Sequence, residues 1–162
     1  MKQKQQLLLL VAFLIGATAF GQTAKYEISK DSLTGKWGYT EVFEIPDVPQ
    51  AELYKRIRSG YVRDQKSIQF DEAPNRVVIR YQFSMGGYKY GQVTETFDFK
   101  DGKVRWAISD ISVFFNATST SIWKSLESAN DKSAIKWWNE RMPATRKHVL
   151  DKLTATTAAP GW

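Results

Sequence analysis

The stretch Val93-Thr94-Glu95-Thr96-Phe97-Asp98-Phe99-Lys100-Asp101-Gly102-Lys103-Val104-Arg105-Trp106-Ala107-Ile108 alternates apolar and polar residues on both sides of an Asp-Gly pair. In an extended chain successive side chains point to opposite faces, and Asp-Gly between two alternating runs is a strong short-range hairpin signal. Two antiparallel strands joined by a type I′ turn are therefore predicted, a turn that needs φ > 0 at both central residues. Val93, Phe97, Phe99, Val104, Trp106 and Ile108 face a core. Gln92, Thr94, Thr96, Asp98, Lys103, Arg105 and Ala107 face outward.

Upstream of the hairpin, Val77, Ile79, Tyr81 and Phe83 alternate with Arg76, Val78, Arg80 and Gln82, and Gly86–Gly87 punctuates the chain before alternation resumes at Tyr88. That adds another hairpin. A short strand near Ser67–Phe70 precedes the turn Ala73–Pro74–Asn75, and Trp37–Ile45 reads as a first strand that Pro46 stops. Between them Leu53, Tyr54, Ile57 and Tyr61 recur at helical spacing, with Asp47 as the expected N-cap. The Ser-, Thr- and Asn-rich segment Asn116–Lys132 reads as a connection containing one short amphipathic turn at Ile122, Trp123 and Leu126. Asp131 or Ser133 then caps a helix that buries Ile135, Trp138 and Met142. Pro143 is expected to bend or split this helix before Val149, Leu150 and Leu153 continue it. The pattern implies an α+β two-layer sandwich. One mainly antiparallel sheet of about five strands carries two helices on one face, and its other face is open.

The 162-residue chain opens with Lys2 and Lys4, the apolar run Leu7–Ile15 and the small residues Gly16–Gly21, the layout of a secretory signal peptide. Cleavage is expected after Ala19 or Gly21, the second leaving Gln22 at the N-terminus. The remaining organisation reads as a flexible lead-in over 22–36, a single α+β domain over 37–153 and a frayed tail over 154–162. Without cysteine there is neither a lipoprotein-type anchor nor a disulfide framework. The expected location is periplasmic or secreted, with no stable membrane insertion after cleavage. Removing Lys2 and Lys4 lowers the basic count from 23 to 21 against 17 acidic residues, leaving +4. The basic residues are interspersed with acidic ones rather than clustered, and an exported protein seldom meets nucleic acid, so no nucleic-acid partner is expected.

The run Phe43–Glu44–Ile45–Pro46, Val48, Glu52–Leu53–Tyr54, the strand Val77–Phe83 and the hairpin Phe97–Arg105 resemble the bacterial exported domain of unknown function family 4468. The resemblance covers roughly residues 37–115. It implies a TATA-binding-protein-like fold and brings no catalytic residues with it.

His148 is the only histidine and sits between Lys147 and Val149 on the last helix, with Arg146 close by; it reads as a surface residue. Scattered carboxylates and the lack of cysteine give no metal-ligand spacing, and no cofactor motif is present. Glu95 and Glu41 fall on inward faces, where a buried carboxyl can act as an acid. Two binding surfaces stand out. Arg76, Arg80, Lys103 and Arg105 project from the outer sheet face beside Gln92, Thr94 and Thr96, a set suited to an acidic polymer or an envelope protein. Trp137 falls on the polar side of the last helix with Glu140 and Arg141. The expected function is a non-enzymatic binding or accessory module. The alternative is a small hydrolase of cell-wall or glycan substrates using Glu95, Glu41 or Asp110.

Overall fold

A computed structural model describes residues 26–62, 64–86, 89–117 and 120–155. The expected signal peptide and most of the expected tail lie outside them. The elements in chain order are β1 (Ser29–Lys30), β2 (Trp37–Glu44), α1 (Gln50–Gly60), a 3-10 turn (Gln65–Ser67), β3 (Ile68–Glu72), β4 (Arg76–Gly86), β5 (Lys89–Lys100), β6 (Lys103–Ala117), β7 (Thr120–Ser125), α2 (Leu126–Ala129) and α3 (Lys132–Thr154).

All strand pairs are antiparallel, and the sheet runs β1-β2-β6-β5-β4-β3 with β7 also paired to β6. This is the predicted two-layer α+β architecture, with seven strands where about five were expected. The inner face carries Phe43, Val77, Ile79, Val93, Phe97, Phe99, Val104, Trp106 and Ile108, all buried. The helices cover that face with Leu53, Ile57, Leu126, Trp138, Met142, Val149 and Leu153, also buried. Each such side chain contributes about 1.5–3 kcal/mol.

The hairpin register is as predicted, with Lys100 opposite Lys103, but its turn is not type I′. Gly102 is left-handed at φ 69°, whereas Asp101 is not. Tertiary bonds set this geometry: Gly102 N–H donates to the Val48 carbonyl, and Ile45 N–H donates to the Gly102 carbonyl. The Asp101 carboxylate accepts from Gln50 N–H at 2.8 Å. That bond also corrects the helix start. Asp47 is itself left-handed (φ 64°) and Pro49 holds the N-cap position without a side-chain bond, because Asp101 supplies the acceptor from the hairpin.

The segment read as a connection is instead strand and helix. β7 pairs Ser125 with Ser112 and Trp123 with Phe114, and Ser125 caps α2 by accepting from Ser128 N–H. At the next helix Asp131 is the N-cap, accepting from Ser133 and Ala134. Pro143 does not split α3, which runs unbroken from Lys132 to Thr154. A proline inside a helix costs about 3 kcal/mol, and buried Trp138 and Met142 before it and Val149 and Leu153 after it outweigh that. Part of the expected flexible lead-in is also built into the fold. Ile28 is buried, its N–H donates to Asn139 Oδ1 at 3.0 Å, and Ser29–Lys30 pair with Trp37–Gly38.

Alternation in β6 slips once. Ile108 and Ile111 are both buried although three residues apart, because Asp110 between them adopts φ 47° and the pairing to β5 shifts between Gln92 and Thr94. Such a bulge re-aims the side chains beyond it. Phe114 and Ser112 thereby join the outer face.

Candidate functional site

Among the described residues the inner face holds one fully buried charged residue, Glu95. Tyr81 Oη donates to its Oε1 at 2.6 Å, while Tyr61 Oη and Trp106 Nε1 donate to its Oε2 at 2.8 and 3.2 Å. Burial raises its pKa, and the three donors offset that only in part. Burial likewise pushes both tyrosine hydroxyls up. Glu41 does not face Glu95, since β6 lies between them: Glu41 is opposite Trp106 and Glu95 is opposite Ile108. The Arg146 guanidinium binds Glu41 through Nε at 2.9 Å and a terminal nitrogen at 2.5 Å, and Tyr39 Oη donates to the same carboxylate at 2.6 Å. The two inward carboxylates are thus separate, each enclosed by its own donors. His148, expected on the surface, is half-buried, its ring 5.4 Å from that of Tyr61.

On the outer face the four predicted cations do not form one free patch. Arg76 and Arg105 both bind Asp98 between them, Arg105 through Nε at 2.8 Å. The register sets this row: Arg76 is opposite Asp98, which is opposite Arg105. Burial raises the Asp98 pKa, but the two guanidiniums outweigh it and hold the carboxyl below its ordinary value. Lys103 Nζ reaches Glu44 at 3.0 Å. Arg80 alone of the four has no ion pair among the described residues. It lies between two depressions of about 600 Å³ each. One runs along the β4 edge past Gln82, Gln92, Lys66 and Tyr81. The other includes Lys36, Asp110, Ser112 and Ser125 on the outer face.

Trp137 is not on the polar surface. Its ring stacks on Phe83 at 4.9 Å, and the Arg141 guanidinium lies 3.9 Å over its other face. Phe83 in turn lies over Gly91, where a Cβ would come within 2.2 Å of the ring. A helical wheel places Trp137 away from the Trp138 stripe, but Phe83 meets both rings, stacking on Trp137 and standing edge-on to Trp138 at 5.1 Å.

The outer face also carries an aromatic row that is not apparent from the sequence. Tyr90, Phe114 and Trp123 stand opposite one another across β5, β6 and β7. Ring centroids are 6.2 Å apart for Tyr90 and Phe114 and 5.2 Å for Phe114 and Trp123. Tyr90 is 44% exposed and Trp123 37%. The available signal was the weak alternation of Thr120–Ser125, masked by its polar composition. Among the described residues no group of three or more His, Cys, Asp or Glu could hold a metal ion, and no helix is long and apolar enough to cross a membrane.

No family model and no curated protein matches the sequence. Solved structures do share the fold. A DUF4468 family protein from Bacteroides ovatus matches with a TM-score of 0.57 at 15% identity, covering 86% of this chain and 99% of that one. A TBP-like protein from Parabacteroides distasonis matches with a TM-score of 0.61 at 12% identity, covering 78% and 98%. The chain is therefore similar in fold, over nearly the whole length of both, to a DUF4468 family protein and a TBP-like protein.

Proposed function

We propose that this chain is an exported, non-enzymatic binding module whose partner, an acidic polymer or an envelope protein, docks on the outer face of the sheet. The observation that carries this reading is the contrast in hydrogen bonding between faces. Inner carboxylates are enclosed by donors, whereas Arg80, Gln82, Gln92, Thr94 and Ser112 on the outer face make no side-chain bond among the described residues. Groups satisfied within the fold hold it together, and groups left to solvent are available to a ligand. Of Arg76, Arg80 and Arg105, Arg80 is the one guanidinium without an ion pair among the described residues, and a guanidinium suits a carboxylate. Export rests on the arrangement of Met1–Gly21. The hydrolase alternative is weaker because Glu95 is buried behind Tyr61 and Tyr81, out of reach of a substrate.

The test pairs two variants. Arg80→Glu is expected to abolish retention on an immobilised polyanion while Glu95→Gln leaves it unchanged. Retention that survives Arg80→Glu, with hydrolysis of a glycan lost in Glu95→Gln, favours the hydrolase. N-terminal sequencing of the exported protein is expected to begin at Gln22.

A further inference from the structure

We propose that the aromatic row Tyr90–Phe114–Trp123 and the polar rows beside it form a binding site for an acidic polysaccharide, with sugar rings on the aromatics and a uronate carboxylate at Arg80. This deepens, and rests on, the reading of the outer face as the binding surface. Large exposed apolar groups in a cluster mark a contact surface, and here three aromatic side chains stand in register on the outer face. Tyr90 and Trp123 are each more than a third exposed although the inner face offers a core.

The adjoining rows decide what covers them. Two residues along each strand, Gln92 and Ser112 are opposite one another, as are Ser112 and Ser125, and Gln82 is opposite Gln92. Carboxamides and hydroxyls both donate and accept, as sugar hydroxyls do. A pyranose presents C–H groups on its faces and hydroxyls around its rim. The electron-rich faces of Tyr90 and Trp123 suit the first, and the Gln82, Gln92 and Ser112 row suits the second. One row further lie Arg80 and Thr94, opposite one another, with Arg80 and Ser112 lining the same depression of about 610 Å³. Aromatic platform, neutral hydrogen-bonding row and one unpaired guanidinium thus follow in order across the face.

A nucleic acid would need several cations tracking its phosphates. Here Lys89 is bonded to Asp131 and Ser133, and Arg76 and Arg105 share Asp98, so among the described residues the aromatic row has no such track. An acidic peptide would use Arg80 but has no need of the aromatic row.

The test uses the full-length gene product, purified, in native gels containing polygalacturonate, alginate, hyaluronan, polyglutamate or single-stranded DNA. At least one acidic polysaccharide is expected to retard the protein. Trp123→Ala, Tyr90→Ala and Arg80→Glu should each weaken that retardation at least tenfold, Trp123→Tyr should restore most of it, and unchanged thermal midpoints should show that the variants fold. If polyglutamate or DNA retards the protein as strongly as any polysaccharide and Trp123→Ala changes nothing, the polysaccharide site is refuted while the outer-face binding module stands. If no polysaccharide retards it, the proposal fails as well. Retardation that survives both Trp123→Ala and Arg80→Glu refutes this site and the outer-face reading together.

Discussion

The two faces of one sheet treat polar side chains in opposite ways. On the inner face Glu95 and Glu41 are each gripped by three donor groups or a bidentate guanidinium plus a tyrosine. On the outer face the Arg76, Arg105 and Lys103 side chains of the ion pairs are exposed, and the side chains of Gln82, Gln92, Thr94 and Ser112 make no hydrogen bond among the described residues. Burial explains the difference. A carboxylate removed from water must recover its hydrogen bonds inside the protein, while one at the surface need not. Inner polar residues in this chain are consequently satisfied within the fold, whereas outer ones are left to the ligand proposed for that face.

Glu95→Ala tests the contrast between the faces most severely. It strands Tyr61, Tyr81 and Trp106 without an acceptor in the core, and urea denaturation should show a loss of about 3–5 kcal/mol. A loss under about 1 kcal/mol would mean that water takes over and the cluster is dispensable. Arg146→Ala leaves Glu41 half-buried with Tyr39 alone, and its expected cost is about 2 kcal/mol in the same assay.

Proton linkage gives a third test. Burial raises the Glu95 pKa above its ordinary 4.5, so between that value and its folded value the native state holds a proton that the unfolded chain has released. Stability therefore falls as pH rises above about 4.5, by at most about 1.4 kcal/mol per pH unit. Asp98, Asp71 and Asp131, whose values are lowered, contribute the opposite trend at lower pH. The difference between wild type and Glu95→Gln isolates the first effect, and it should change with pH only above about 4.5. A pH-independent difference would show that Glu95 titrates normally. The smallest effect belongs to the outer face. Lys103 and Glu44 are both more than half exposed, and Lys103→Ala should shift stability by no more than about 0.5 kcal/mol. A larger loss would mean that the outer pairs also hold the fold together.

Much of the inner face was legible in the sequence because burial enforces period two. Val77–Phe83 and Val93–Ile108 can satisfy their backbones and hide their apolar residues in one register only. Helix α3 was legible for the same reason at period 3.6. The outer face was legible only as composition. Alternation identifies Arg76, Arg80, Lys103 and Arg105 as outward but is silent on which of them Asp98 and Glu44 neutralise, because pairing depends on the neighbouring strand. β7 escaped notice because Thr120, Ser121, Lys124 and Ser125 carry little hydrophobic signal, and the aromatic row escaped with it.

Short-range physics fixed the elements that alternate, the hairpin at Asp101–Gly102, the Asp131 cap and the α+β class, since each depends on residues within a few positions of one another. Strand order, the insertion of β6 between Glu41 and Glu95, the stacking of Trp137 on Phe83 and the alignment of Tyr90, Phe114 and Trp123 were decided only by tertiary structure. They join residues tens of positions apart, and no local preference specifies which strand a hydrogen-bonding edge will meet.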